Sequence, residues 1–216
     1  MEKKTALNII YSSGEKYSKN LENNNLLFIY EEKGSLKTIE TRFLSSNFLH
    51  LTGCKTQLYA NEFYNKAINK RLKEDEFELI SSGITEVKLR ILSELIYIDK
   101  KARMIGDYSS SKLKLRTDKL IGGVNACVGF IKNNRSKYYV PNTLLGINIK
   151  SITNKPQSRI IAIFKKSIKD DKYMYLSYMA KGLLFQRLVN DTIIANIVDF
   201  SKIEYLHDCW LRRSFT

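Results

Sequence analysis

The feature that most constrains the fold is a change in the spacing of the apolar residues near residue 102. Before this point, apolar residues recur at helical spacing. One such series is Ile84, Val87, Ile91, Leu95 and Ile98. From Ala102 onward, apolar and polar residues alternate, which is typical of half-buried strands, and from Leu183 the helical spacing returns. This order of helices, strands and helices predicts an α+β fold with an antiparallel sheet.

The spacing also predicts the individual elements. A helix is expected over 4–22, followed by a hairpin of two strands around 26–30 and 39–43, with the turn at Lys33-Gly34-Ser35. Two further helices are expected, one over 60–71 and one after Gly83. Strands are expected over 102–108, 112–116, 124–132, 137–141, 159–165 and 172–178.

The last segment differs in character from the strands before it. We expect one domain over residues 1–182 and a helical C-terminal extension over 183–216, with helices over 183–198 and 203–213. An apolar stripe in this extension contains Leu184, Leu188, Ala195 and Val198. Because an exposed stripe promotes aggregation, it must cover its own domain, a second copy or a partner protein. We expect it to pack on its own domain or at the interface of a homodimer.

The charge of the chain indicates a polyanionic partner. Its 36 Lys and Arg residues against 22 Asp and Glu residues give a formal net charge of +14, which favours nucleic acid. A merely solvated, lysine-rich surface is the alternative. No apolar run approaches the roughly 20 residues that span a bilayer, and the N-terminus lacks a secretory pattern. The three scattered cysteines suggest reduced thiols, so we expect a cytoplasmic protein that does not associate with membranes.

Few residues offer catalytic chemistry. The chain has no Walker A motif, no zinc-binding cysteine pairs and no HExxH motif, so we expect no metal and no cofactor. His50 is one of two histidines and suits proton transfer near neutral pH. A structural histidine that fills a corner of the core is the alternative for His50.

A second candidate feature is the basic segment 112–116. On a strand, Lys112, Lys114 and Arg116 would share one face at a spacing of roughly 6.5–7 Å, close to that of successive phosphates. The alternative is an exposed sheet face that lysine keeps soluble. Lys119 extends this polar run, and tyrosines such as Tyr178 offer rings on which bases could stack.

Several short motifs together resemble a known family. They are Phe48-Leu49-His50-Leu51-Thr52-Gly53, Phe63-Tyr64-Asn65-Lys66-Ala67-Ile68, Gly106-Asp107-Tyr108 and Tyr139-Val140-Pro141-Asn142-Thr143. Over residues 1–182 this order resembles the phage-associated branch of the barnase–EndoU–colicin–RelE-like nuclease superfamily. The resemblance implies helices before a curved antiparallel sheet, and cleavage of RNA without metal through the 2′-hydroxyl. The chain departs from the family pattern in one respect, because its second histidine, His207, cannot be placed as the opposite partner of His50 in acid–base exchange.

The resemblance also implies roles for particular residues. His50 and Thr52 correspond to the polar residues on the helix side of the site, and Lys112, Lys114 and Arg116 to those on the sheet side. Arg116 would stabilise the charge of the transition state. Lys119, Tyr178 and Lys181 are expected to bind nucleic acid.

We therefore expect a mobile-element RNA-targeting protein, in the form of a metal-independent ribonuclease, with a guide RNA or a tRNA among the possible targets. The alternative is an anti-CRISPR inhibitor that binds or cleaves the guide RNA of an RNA-guided effector, or blocks the nucleic-acid channel of that effector without catalysis. A structural protein whose charge reflects genome composition is a third possibility.

Overall fold

The computed structural model describes residues 1–109, 115–134, 136–153 and 156–205. Within them, the helices are α1 (Lys3–Asn20), α2 (Asn47–Thr52), α3 (Ala60–Ile68), α4 (Ile84–Leu95), α5 (Ile98–Lys101), α6 (Phe185–Val189) and α7 (Thr192–Ile197). The strands are β1 (Asn24–Glu32), β2 (Ser35–Phe43), β3 (Met104–Asp107), β4 (Lys119–Gly122), β5 (Cys127–Lys132), β6 (Tyr139–Leu145), β7 (Ser158–Ser167), β8 (Tyr175–Met179) and β9 (Glu204–Tyr205). This mixture confirms the α+β prediction.

The strands close into a seven-stranded barrel, so the prediction of a curved antiparallel sheet is wrong in this respect. The ring runs β1-β2-β6-β5-β4-β3-β7 and closes because β7 also pairs with β1. One contact in the ring, Thr41 beside Tyr139, is parallel. Closure depends on a pairing between distant parts of the chain, whereas the alternation of side chains records which face is buried but not which strand lies alongside.

The helices of the N-terminal half, α1 to α4, pack together at one end of this barrel. The connections from α1 to β1 and from β2 to α2 are both short and lie at that end, since the start of β1 pairs with the end of β2. Aromatic rings fill the boundary: the Phe43 ring lies 6.0 Å from that of Phe130 and 6.4 Å from that of Tyr17. The Tyr17 hydroxyl donates to the Leu44 carbonyl oxygen at 2.9 Å. The opposite mouth is therefore formed by the end of β1, the start of β2, the end of β3 and the start of β4.

A glycine allows the first helix to approach its neighbour closely. Gly14 is buried in the middle of α1, where glycine is intrinsically unfavourable. A Cβ atom at this position would lie 3.4 Å from a methyl group of Ile68 at the end of α3. The helix therefore loses some intrinsic stability at Gly14 and gains close packing of α1 on α3.

The C-terminal segment covers the outer face of β1 and β7. Leu188, Ile194 and Val198 are buried in one apolar cluster with Leu27 and Ile29 of β1. No helix of the described residues is long and apolar enough to cross a membrane.

Three of the predicted elements differ in the structure. The helix expected over 183–198 is two short helices, because Asp191 accepts hydrogen bonds from the backbone N–H groups of Ile193 and Ile194 and so begins a new helix. Of the helix expected over 203–213, residues 204–205 form β9 and 206–213 lie outside the described residues. Of the strand expected over 112–116, residues 115–116 are irregular and 112–114 lie outside the described residues.

Candidate functional site

An ion pair lies at the open mouth of the barrel. Asp107 ends β3 and Lys119 begins β4, and the two residues are direct partners in the antiparallel register. The Lys119 Nζ lies 2.5 Å from the Asp107 Oδ1. Side chains alternate along a strand, and Ile105 and Ile121, two residues further into the barrel, belong to its core. Asp107 and Lys119 therefore face the same interior, at its rim.

Two tyrosines accompany this ion pair. Tyr30 near the end of β1 and Tyr139 at the start of β6 both interact electrostatically with Lys119. Burial raises the pKa of Tyr30, and although the Lys119 charge opposes this, Glu32, Asp107 and Tyr139 add to it. The phenol of Tyr30 consequently stays protonated, and able to donate a hydrogen bond, at neutral pH. We refer to Tyr30, Asp107, Lys119 and Tyr139 as the mouth cluster.

The lysine of the mouth cluster keeps its charge. Burial alone would lower the pKa of Lys119, but the hydrogen bond and charge of Asp107 outweigh it, so the pKa is raised above its ordinary value. A cation fixed at the rim of an apolar barrel suits the binding of a phosphate group.

The segment before β4 is hydrogen-bonded to both β5 and β6. The Asn142 side-chain amide donates to the Arg116 carbonyl oxygen at 2.5 Å, and the Thr117 hydroxyl donates to the Phe130 carbonyl oxygen at 3.2 Å. The Arg116 side chain is exposed, three residues before Lys119. Lys112 and Lys114, its predicted partners, lie outside the described residues.

The His-Leu-Thr-Gly segment forms the end of α2. Gly53 adopts a left-handed conformation, with φ of 70°, and ends the helix. Thr52 is fully buried, and its hydroxyl donates to the Leu49 carbonyl oxygen at 2.8 Å and accepts from the Cys54 N–H at 3.2 Å. Both bonds stabilise the helix end, which gives Thr52 a structural role in this conformation.

His50 is exposed on the same helix. Its backbone carbonyl oxygen accepts a hydrogen bond from the Lys88 Nζ at 3.1 Å, and burial lowers the pKa of Lys88. Among the described residues, no hydrogen bond or ion pair joins His50 or Thr52 to Arg116 or Lys119. The helix does pack along β6, the strand that carries Tyr139 and Asn142.

Tyr178 and Lys181 belong to a second basic surface. The Arg103 guanidinium lies over the Tyr178 ring, 3.9 Å from its centroid, and an Arg159 Nη donates to the Lys181 carbonyl oxygen at 3.5 Å. Arg103, Arg159 and Lys181 are all exposed. We refer to Arg103, Arg159, Tyr178 and Lys181 as the β7–β8 patch. Sequence reasoning singled out neither arginine, because only the pairing of β3 and β8 with β7 brings them together.

Sequence reasoning also missed Tyr30 and Asp107 as site residues. Asp107 belongs to the motif Gly106-Asp107-Tyr108, on which the family resemblance partly rests, and this motif could have indicated Asp107 as a site residue. Tyr30 ends an apolar strand and carries no signal of its own. Among the described residues, no three histidine, cysteine or carboxylate side chains converge to hold a metal ion.

The fold and these clusters describe a basic α+β barrel protein that combines cations with tyrosines at its mouth and along one flank. The sequence model of the family PBECR4, described as phage-Barnase-EndoU-ColicinE5/D-RelE like nuclease4, matches residues 9–182. The chain belongs to this family, which confirms the resemblance drawn from the sequence. No curated protein and no solved structure matches the chain significantly.

Proposed function

We propose that this protein is a ribonuclease that cleaves RNA without a metal ion, and that the mouth cluster is its catalytic centre. The observation that carries the proposal is the Asp107–Lys119 ion pair flanked by Tyr30 and Tyr139 at the rim of the barrel. Membership of a phage-associated nuclease family supports the general activity. The choice of RNA and the mechanism rest on the chemistry of these four side chains.

Three of the four groups, Asp107, Lys119 and Tyr30, match the requirements of transphosphorylation. The Asp107 carboxylate takes the proton of the 2′-hydroxyl as its oxygen attacks phosphorus, and the bond from phosphorus to the 5′-oxygen breaks. The Lys119 ammonium stabilises the negative charge that develops on the phosphoryl oxygens. The Tyr30 phenol donates a proton to the departing 5′-oxygen. The products are a 2′,3′-cyclic phosphate and a free 5′-hydroxyl.

The β7–β8 patch offers a path for the remainder of the strand. Its three cations can neutralise phosphates, and Tyr178, already stacked on Arg103, adds an aromatic edge. Both sites adjoin the start of β7, since Arg159 pairs with Glu31 and Met104 while Ile160 pairs with Tyr30. Lys112, Lys114 and Arg116 precede Lys119 along the chain and are proposed as further phosphate contacts.

His50 is the competing catalytic candidate. Its side chain is exposed, and the Lys88 ammonium donates to the His50 backbone carbonyl oxygen, so a histidine and a cation both occur at this end of α2. Among the described residues, however, no group hydrogen-bonds the imidazole and orients it, whereas catalytic histidines are commonly oriented by a second residue. We therefore favour the mouth cluster.

The test is incubation of the purified protein with structured small RNAs in EDTA, followed by analysis of the product ends. Lys119→Met and Asp107→Asn should each lower the cleavage rate by about 100-fold or more, because each removes a group that acts in the transition state. Lys150→Met, an exposed lysine elsewhere, serves as the charge-matched control. Loss of cleavage in His50→Ala with full activity in Lys119→Met would move the centre to α2.

The same assay separates catalysis from simple binding. Salt-dependent RNA binding without cyclic phosphate ends would contradict the ribonuclease proposal. That outcome would favour the alternative, an inhibitor that binds the guide RNA of a CRISPR effector or blocks the nucleic-acid channel of that effector.

A further inference from the structure

A depression on the solvent side of α3 has no part in the reaction proposed above. It has a volume of about 490 Å³, and three of the residues that line it are Asn61, Asn65 and Asn69. These asparagines recur every fourth residue, so they lie above one another on one side of the helix, over about 12 Å. The other side of α3 is buried through Phe63 and Ala67. The depression therefore presents a row of side-chain amides to solvent.

Asn65 is the unusual member of this row. It stands at the centre of a nine-residue helix, where asparagine is a poor helix former because its side chain competes for backbone hydrogen bonds. The Asn65 side chain is exposed and makes no hydrogen bond within the described part of the chain. Its amide oxygen and amide nitrogen can therefore both contact a ligand, and neither stabilises the fold. A residue that breaks a local rule without a gain in stability is expected at a functional site.

The two amides on either side of Asn65 are held in place. The Asn61 Oδ1 accepts from the Ser45 hydroxyl at 2.9 Å, which leaves the Asn61 Nδ2 as a donor. The Asn69 Nδ2 donates to the Asn65 backbone carbonyl oxygen at 2.8 Å, which leaves the Asn69 Oδ1 as an acceptor. The row therefore offers donors and acceptors in fixed orientations before a ligand binds. Such preorganisation lowers the entropic cost of binding.

An exposed aromatic ring adjoins the start of the row. Tyr59 directly precedes α3, lines the same depression and is 85% exposed. A ring this exposed contributes little to the core, but its flat face can stack on a nucleic-acid base. Arg71, which is also exposed, lines the depression beyond Asn69.

The charges in the depression nearly cancel. Lys66, which also lines it, is paired with Glu62 at 3.7 Å and with Glu76 as well. The depression is therefore not a track for several phosphates, which would need several unpaired cations. The core of a protein interface is largely apolar, whereas Tyr59 is the one aromatic or aliphatic side chain among the described residues that line this depression. Amide groups beside a ring instead suit the edge and the face of a base.

We propose that this depression binds unpaired bases of a single-stranded RNA, with Asn65 reading an adenine and Tyr59 stacking on a neighbouring base. An asparagine amide pairs with adenine through two hydrogen bonds, in which Oδ1 accepts from N6 and Nδ2 donates to N7. Unpaired bases expose this edge, and RNA-binding proteins commonly combine such contacts with aromatic stacking. Asn61 and Asn69 offer further hydrogen bonds to adjacent bases, and Arg71 suits a phosphate beside them.

The inference rests on the proposed function only in the choice of RNA. The site is separate from the mouth cluster, because α3 belongs to the helices at the other end of the barrel. It would therefore hold the RNA without taking part in the cleavage step, and its loss should weaken binding rather than chemistry.

The test uses two single-stranded 2′-O-methyl oligoribonucleotides of equal length, one of adenines and one of uridines. Both carry the same charge, so the contribution of the phosphates is common to the two. Neither can be cleaved through a 2′-hydroxyl, so binding is measured whether or not the protein is a nuclease. Fluorescence anisotropy at fixed salt gives the affinity of the full chain for each oligonucleotide.

The wild-type protein should bind the adenine oligonucleotide more tightly than the uridine one. Asn65→Ala should lower the affinity for adenine by about fivefold or more and leave that for uridine nearly unchanged, as expected when one bidentate base contact is lost. Tyr59→Ala should weaken the binding of both oligonucleotides by about fivefold or more, because stacking is tolerant of the base.

Asn8→Ala is the matched control, because it makes the same change at an exposed position of α1 outside the depression. It should bind both oligonucleotides like wild type. Asn65→Ala should unfold at a temperature no lower than wild type, because alanine is the better helix former, so weaker binding cannot be assigned to misfolding. The proposal is overturned if Asn65→Ala and Asn8→Ala bind adenine equally well, or if Tyr59→Ala binds like wild type. Such a result would leave this face of α3 to a protein partner.

Discussion

The packing of the C-terminal segment on the barrel can be tested with two neighbouring isoleucines in α7. Ile194 is 1% exposed within the apolar cluster that contains Leu27 and Ile29, whereas Ile193 is 65% exposed. The change to alanine is chemically identical at both positions. Any difference in the free energy of unfolding therefore reports burial alone, and not helix propensity.

The structure sets the size of the expected difference. Ile194→Ala removes three buried carbon atoms and leaves a cavity, which costs about 2–4 kcal/mol. Ile193→Ala changes an exposed side chain and should remain within about 0.5 kcal/mol of wild type. Urea unfolding followed by circular dichroism measures both values. Equal effects of the two substitutions would refute the docking of α7 on the outer face of β1.

The same experiment distinguishes the chain's own barrel from a second copy. If α7 packs on its own barrel, the loss in Ile194→Ala should be the same over a wide range of protein concentrations. If instead a second copy supplies the contact, the unfolding midpoint of the wild-type protein would rise with concentration.

Three further predictions follow from the environment of α2. Thr52→Ala should destabilise the fold by about 1–3 kcal/mol in thermal or urea unfolding, because the Cys54 N–H loses its partner and the Leu49 carbonyl oxygen loses one of its two donors. An unchanged midpoint would contradict this structural role. His50→Ala should leave the unfolding free energy within about 0.5 kcal/mol of wild type, because the His50 side chain is exposed. If the mouth cluster is the catalytic centre, this substitution should also leave the rate of RNA cleavage within about tenfold of wild type. Burial raises the pKa of Cys54 to about 11, so its thiolate forms only at high pH. At pH 8, iodoacetamide should therefore label Cys54 about 100-fold more slowly in the folded than in the unfolded protein, as measured by peptide mass spectrometry. Equal labelling rates in the two states would contradict the burial of this thiol.

The elements that local pattern specifies were predicted well. The apolar run at Leu26–Tyr30 became the centre of β1, and the helical series from Ile84 to Leu95 became α4. The predictions were less accurate where a polar side chain interrupts a pattern. Asp191 divides the helix expected over 183–198, because a side-chain oxygen that caps a helix competes with continuation of the helix through it.

The candidate site was harder to predict than the elements. Lys119 was singled out as part of a basic run along the chain, but the structure pairs it with Asp107, to which the sequence analysis gave no site role. Tyr178 was singled out as a ring for stacking, and the structure adds Arg103, which comes from a different strand. Such pairs form across strand registers, and nothing in the spacing of one segment specifies its partner.

The sequence by itself determined the order of helices and strands, the excess of positive charge and the family, because these depend on local spacing, on composition and on motifs that each lie within a short segment. Tertiary structure decided that the strands close into a barrel, and which side chains from different strands meet on it. The physical reason is that a strand's alternation specifies which side chains are buried, whereas the pairing of its two edges depends on segments far away in the chain. Through those pairings, Asp107 meets Lys119 at the mouth of the barrel, and Asn25 stands between Arg42 and Lys166 on its outer face.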